Sequence, residues 1–146
     1  LTPLGVNVVM TRDGDTLPAL RQRPQIAMDA NADAFVSIHI NYAPANFRGA
    51  EVWYRRGNAE SKRLASSLLR AHLDVTKFYG RGVKPESHAP GGGLAVLKHN
   101  TVPCALLELG FVNNSTESKA MAKPEWRQKV AEGMVTGLAR FMEGRL

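Results

Sequence analysis

The stretch Ala34-Phe35-Val36-Ser37-Ile38-His39-Ile40-Asn41 carries the clearest signal for the fold. Its period of two sets Ser37, His39 and Asn41 on one face and Val36, Ile38 and Ile40 on the other. A strand is predicted over Ala34–Ile40. Four further apolar runs read as strands: Val6–Met10, Ala50–Tyr54, Leu94–Leu97 and a buried one at Cys104–Leu109. A helix is expected over about Leu17–Asn31, with Asp15 or Thr16 as cap and Pro18 in its first turn. Asn58 caps a second helix through about Leu73, striped by Leu64, Leu68 and Leu69. Gly80–Gly93 reads as a glycine-rich loop, with Gly91-Gly92-Gly93 a flexible lip. The last helix starts near Pro124 and buries Trp126, Val130, Met134, Leu138 and Phe141 at helical spacing. Strands alternating with helices predict a three-layer α/β fold, with a largely parallel central sheet and helices on both faces. No repeat or linker divides the chain, so residues 1–146 read as one domain.

Composition narrows the class. With 44% hydrophobic and 22% charged residues, a disordered tail or collagen-like repeat is excluded. The single cysteine, Cys104, cannot form an internal disulfide, and its place in the run Val102–Leu107 predicts a buried thiol. Lys and Arg exceed Asp and Glu by 19 − 13 = 6, a basic balance that favours polyanions such as nucleic acid, anionic lipid or acidic wall polymers. The basic residues are scattered, so charge alone does not choose the partner. No stretch approaches the roughly 18 apolar residues of a membrane span. The start, without initiator methionine or signal peptide, reads as that of a processed, cut or incomplete polypeptide.

Polar residues close three of the strands: Thr11-Arg12 after the first, His39 and Asn41 on the second, Glu108 in the fifth. Ligands of open α/β sheets bind outside the carboxyl ends of strands, so parallel pairing would gather these groups at one edge. Glu108 sits in Ala105-Leu106-Leu107-Glu108-Leu109-Gly110-Phe111, where a carboxylate is costly unless paired, metal-bound or protonated. A raised pKa there suits a general base. A histidine with a glutamate suits zinc chemistry, although catalytic zinc takes three protein ligands. Either residue alone also has a structural reading, as a hydrogen-bonded strand-end histidine or a buried ion pair. His72 reads as an exposed or flanking helix residue, and His88 and His99 as solvated loop residues or groove linings. Arg12, Asp13 and Asp15 read as a helix cap and local ion pair, or as substrate contacts.

In order and spacing these motifs resemble the zinc-dependent N-acetylmuramoyl-L-alanine amidases of the amidase-3 type. The matching pieces include Val9-Met10-Thr11-Arg12, Ser37-Ile38-His39-Ile40-Asn41 and Gly49-Ala50-Glu51-Val52-Trp53-Tyr54. Arg81-Gly82-Val83-Lys84 and Glu108-Leu109-Gly110-Phe111-Val112-Asn113-Asn114 complete the set. The resemblance implies hydrolysis of the amide between N-acetylmuramic acid and the L-alanine of the stem peptide in peptidoglycan. It further implies Zn2+ as cofactor, His39 as a zinc ligand, Glu108 as the catalytic carboxylate, and Asn41 as a residue that orients His39 or contacts substrate.

Family members begin with a strand carrying Asp-Pro-Gly-His-Gly-Gly and a helix carrying a zinc-binding Glu. The resemblance places both, with the remaining His and Glu ligands, upstream of Leu1, and makes Leu1–Gly5 the end of that helix and its turn. The sheet should then show an exposed edge or apolar face. Leu73–Arg81 is too short for the inhibitory helix that some members insert there, which points to a lysin or an unregulated wall hydrolase. Peptidoglycan is the expected partner, with no nucleic acid and no membrane span, acting as a monomer in the periplasm, the cell wall or, for a phage lysin, after export. Competing readings are a noncatalytic wall-binding or inactive amidase domain and, from the basic balance alone, nucleic-acid binding.

Overall fold

Four strands carry the architecture: β1 (Phe35–Asn41), β2 (Ala50–Tyr54), β3 (Gly80–Pro85) and β4 (Cys104–Phe111). The helices are α1 (Gln22–Asp29), α2 (Ala59–Thr76), the single turn α3 (Ala95–Lys98), α4 (Ser115–Met121) and α5 (Pro124–Met142). The computed structural model describes residues 5–44, 46–91 and 93–144. Residues 1–4 and Gly92, on which two of the sequence readings fall, lie outside that range.

The sheet order is β1-β4-β2-β3. β1 and β4 are parallel, as are β2 and β3, while β2 and β4 are antiparallel. The largely parallel reading therefore holds for two of three pairings. β4 runs through the middle of the sheet, which is why Cys104–Leu107 reads as one unbroken apolar run.

One face of the sheet packs on α2 and α5. Ala50, Val52, Ala105, Leu107 and Leu109 meet Leu64, Leu68, Leu69, Val130 and Phe141, with Trp126, Met134 and Leu138 partly buried against them. The expected leucine stripe and the apolar face of the last helix thus lie where periodicity puts them. α2 and α5 approach closely at Gly137, where an added Cβ would stand 3.1 Å from Leu68 Cα. Asn58 caps α2 as expected, its Oδ1 accepting from Ser61 N at 2.8 Å. α2 reaches the left-handed residue Lys77 just before β3, a connection with no room for an inserted helix. On the opposite face, Phe35, Trp53, Cys104 and Leu106 pack with Ala27 of α1 and Val96 and Leu97 of α3.

Five local expectations are corrected. Among the described residues Val6–Met10 pairs with no strand, and Val6, Val8, Val9 and Met10 are exposed, because an apolar run becomes a strand only where a neighbouring edge accepts its hydrogen bonds. The first helix begins at Gln22, with Arg21 rather than Asp15 or Thr16 at its N-cap. Residues 80–85 form β3, not a loop; Gly80, Gly82 and Pro85 are tolerated because β3 is an edge strand. Leu94–Leu97 falls in the turn of α3 instead of a strand. His72 is fully buried, its Nε2 3.0 Å from Leu109 O and its ring edge-on to Phe78 and Trp126.

β1 presents an apolar face to solvent. It is an edge strand, and Ile38 and Ile40 are 55% and 49% exposed while His39 on the reverse face is half-buried.

α4, unforeseen from its polar sequence, joins two strand ends. Glu117 is buried and its carboxylate accepts from Gly49 N at 2.6 Å and Phe111 N at 2.8 Å. Gly49 sits at φ +99 with Tyr79 O only 2.3 Å from where a Cβ would be, so only glycine fits that approach. Glu117→Ala leaves two buried N–H groups unpaired and is expected to destabilise the fold by about 2–4 kcal/mol. A shift of the urea midpoint at unchanged slope measures it, and Glu117→Gln, which keeps one acceptor, should lose less.

Candidate active site

The face of the sheet opposite α2 and α5 carries a polar row across its strands. His39 of β1 lies in register with Glu108 of β4, and Glu108 lies in register with Glu51 of β2. Neighbouring strands are about 4.8 Å apart, so three ionisable groups fall within some 10 Å of sheet. The two residues singled out in sequence are thus brought together. The third, Glu51, comes from the antiparallel strand.

Glu108 is the exceptional carboxyl. Its Oε2 is buried and, among the described residues, has no hydrogen-bond partner. Burial first, and the Glu51 charge second, push its pKa from the ordinary 4.5 to about 7. At neutral pH it is therefore part protonated and part ionised.

Glu51 has the opposite environment. Its Oε2 accepts from Arg81 Nε at 2.9 Å and Lys84 Nζ at 2.6 Å, and its Oε1 from Asn41 Nδ2 at 3.2 Å. Burial works against its charge, yet the bonds from Lys84 and Arg81 outweigh it and hold the carboxyl below the usual range. Two carboxyls on adjacent strands are thus driven apart in acidity, a permanent anion beside a titrating acid. Glu51 lies within the motif Gly49–Tyr54 of the resemblance, but sequence reasoning did not single it out; a carboxylate inside a strand-like run is the one signal that could have done so.

His39 is held by burial, and secondarily by the Arg23 charge, below its ordinary pKa, so its imidazole is neutral at pH 7. Ser37 Oγ lies 3.1 Å from Nε2. Among the described residues Nδ1 has no protein partner. Asn41 uses its amide on Glu51 and, at 2.8 Å, on Tyr42 N.

The other candidates fall away from this row. His88 and His99 are exposed, and Cys104 is a buried thiol raised to about 11 by burial against a bond from Ser61. Arg12 donates to Thr16 O at 3.1 Å, and neither it nor Asp13 or Asp15 makes an ion pair among the described residues.

No three His, Cys, Asp or Glu side chains cluster among the described residues as a complete metal site. One donor nonetheless fits part of one: the neutral imidazole of His39 has an open nitrogen, and the orphaned carboxyl oxygen of Glu108 lies beside it in the facing register position.

Residues 1–140 match the family described as N-acetylmuramoyl-L-alanine amidase, Amidase_3. The chain belongs to this family. It is 29% identical to the germination-specific N-acetylmuramoyl-L-alanine amidase of Bacillus subtilis, over 94% of this chain and 62% of that protein. It is also 29% identical to the N-acetylmuramoyl-L-alanine amidase Rv3717 of Mycobacterium tuberculosis, over 97% of this chain and 62% of the relative. The fold superposes on the amidase AmiC2 of Nostoc punctiforme with a TM-score of 0.87 at 28% identity, covering 97% of this chain and 76% of that one. The chain thus spans somewhat less than two thirds of those two curated amidases. No helix among the described residues is long and apolar enough to cross a membrane.

Proposed function

We propose that this Amidase_3 chain hydrolyses the amide between the lactyl group of N-acetylmuramic acid and the L-alanine of the stem peptide in peptidoglycan, working at the cell wall. The observation that carries the proposal is Glu108: a half-buried carboxyl with one buried, unpartnered oxygen and a pKa of about 7, facing a neutral His39 in strand register.

His39 would contribute one ligand to zinc, the role that the family resemblance gives it. Bound zinc supplies Lewis-acid polarisation of the scissile carbonyl and a more acidic water. The rest follows from residues of this chain. Glu108 accepts the proton of the attacking water as general base, and the resulting carboxylic acid, stable at neutral pH in its buried place, returns it to the leaving amine of L-alanine. Burial first, and then Glu51, held as an anion by Lys84 and Arg81, keep Glu108 from becoming a permanent carboxylate. Asn41 acts through Glu51, and one hydrogen of its Nδ2 and one lone pair of its Oδ1 remain for a substrate contact.

Treating the protein with a chelator is expected to stop release of stem peptides from purified peptidoglycan, and stoichiometric zinc to restore it. Binding to peptidoglycan without release in either state would instead favour the noncatalytic wall-binding reading.

A further inference from the structure

Glu51 has more cationic company than it needs. One cation neutralises a buried carboxylate, yet both Arg81 and Lys84 converge on the same oxygen, leaving that corner of the face with one surplus positive charge. Glu51 is enclosed, its side chain 5% exposed, while Arg81 and Lys84 remain 25% and 31% exposed. The carboxylate is thus shielded and the cations are presented.

Both cations are also held in place. The Arg81 guanidinium lies 5.2 Å from the centre of the Phe47 ring and 5.3 Å from that of Phe111. The Lys84 ammonium lies 5.2 Å from the centre of the Trp53 ring. An ammonium has three donors and a guanidinium five. Among the described residues, Lys84 uses one on Glu51, and Arg81 uses one on Glu51 and one, at 3.5 Å, on Arg48 O. Donors remain, on groups whose orientation is already fixed, so an arriving anion meets a site with little ordering left to do.

We propose that Lys84 and Arg81 form a subsite for a carboxylate of the stem peptide close to the scissile amide. The inference rests on the amidase reading of the same face. Its distance follows from the sheet. β2 adjoins β4 and β3 adjoins β2, at about 4.8 Å per strand, and the cationic heads are drawn in toward Glu51. The subsite therefore stands about 5–10 Å from Glu108. An extended peptide advances about 3.3 Å per residue, which places the carboxylate within the first three residues of the stem. An anion there shares the two cations with Glu51, as charge-assisted hydrogen bonds allow.

The test compares two stem peptides that differ only in one group within those first three residues, a free carboxylate or its carboxamide. Their dissociation constants are measured by calorimetry on the chelator-treated full-length protein at low salt. The wild type is expected to bind the carboxylate form at least about tenfold more tightly, with the preference shrinking as salt is raised. Lys84→Gln, which leaves Glu51 its bonds from Arg81 and Asn41, should bring the ratio toward one, and Lys84→Arg should restore most of it. Equal binding of the two peptides by wild type, or an undiminished preference in Lys84→Gln, overturns the subsite. The wild-type ratio stands without any variant, so poor folding of Lys84→Gln does not remove the test. Peptide release by the zinc-loaded wild type is scored separately. A carboxylate preference lost in Lys84→Gln, with no release at all, would support the subsite and overturn the amidase reading.

Discussion

Glu108→Gln is expected to lower amide hydrolysis by about 10³-fold or more while making the protein more stable at pH 8. The loss of rate follows from removing the group that carries the proton, since general acid–base catalysis alone contributes about 10²–10⁴-fold. The gain in stability follows from the environment that makes Glu108 useful. Above pH 7 the folded protein holds an ionised carboxylate with a buried, unpartnered oxygen, one strand from the fixed anion of Glu51. Glutamine keeps the shape, removes the charge and adds two donors.

The pH dependence has a definite sign. The folded pKa, about 7, exceeds the ordinary 4.5, so between those values the folded state binds more protons than the unfolded state. Stability from this group is complete below pH 4.5, falls as pH rises toward 7, and is level above it. Because Glu108 is partly open to solvent, the loss amounts to roughly 1–2 kcal/mol rather than the full value of the shift. Thermal melts of metal-free wild type and Glu108→Gln should therefore coincide near pH 4.5 and separate by several degrees at pH 8. A wild type as stable as the variant at pH 8 would show that Glu108 is ionised at no cost and is not the tuned acid described here.

His39→Ala is the second large effect. It should reduce zinc per chain at least tenfold at a zinc concentration that saturates the wild type, with hydrolysis falling in parallel. A neutral imidazole with an open ring nitrogen is well suited to hold zinc, and catalytic zinc sites with three protein ligands tolerate the loss of one poorly. Stability is the control. His39 is only half-buried on an edge strand and makes one side-chain bond, to Ser37, so metal-free melting should move little. Full zinc occupancy in elemental analysis of His39→Ala would remove His39 from the metal site.

Legibility from sequence varied with what each residue depended on. β1, α2 and α5 were readable because burial on one side imposes a period, which Leu64, Leu68 and Val130 report directly, and β2 and β4 because burial on both faces selects short apolar runs. β3 was hidden behind Gly80, Gly82 and Pro85, residues that break central strands but serve at an edge. Val6–Met10 shows the converse, a strand-like composition without a strand partner. Glu108 and His39 stood out because a polar residue in an apolar run is conspicuous. Glu51 did not, although it is the more buried carboxylate, because its significance depends on Arg81, Lys84 and Asn41, which only the folded sheet brings to it. The antiparallel course of β2 could not be read from composition, and it sets Glu51 against Glu108.

The central claim is that the bond cleaved is the amide joining N-acetylmuramic acid to L-alanine, with Glu108 moving the proton. The most direct measurement is mass spectrometry of the soluble products after zinc-loaded protein acts on purified peptidoglycan, run beside Glu108→Gln. The account predicts free stem peptides with an unblocked L-alanine amine, and glycan strands stripped of peptide, from the wild type alone. Products that keep peptide and muramic acid joined, or equal release by Glu108→Gln, would contradict it.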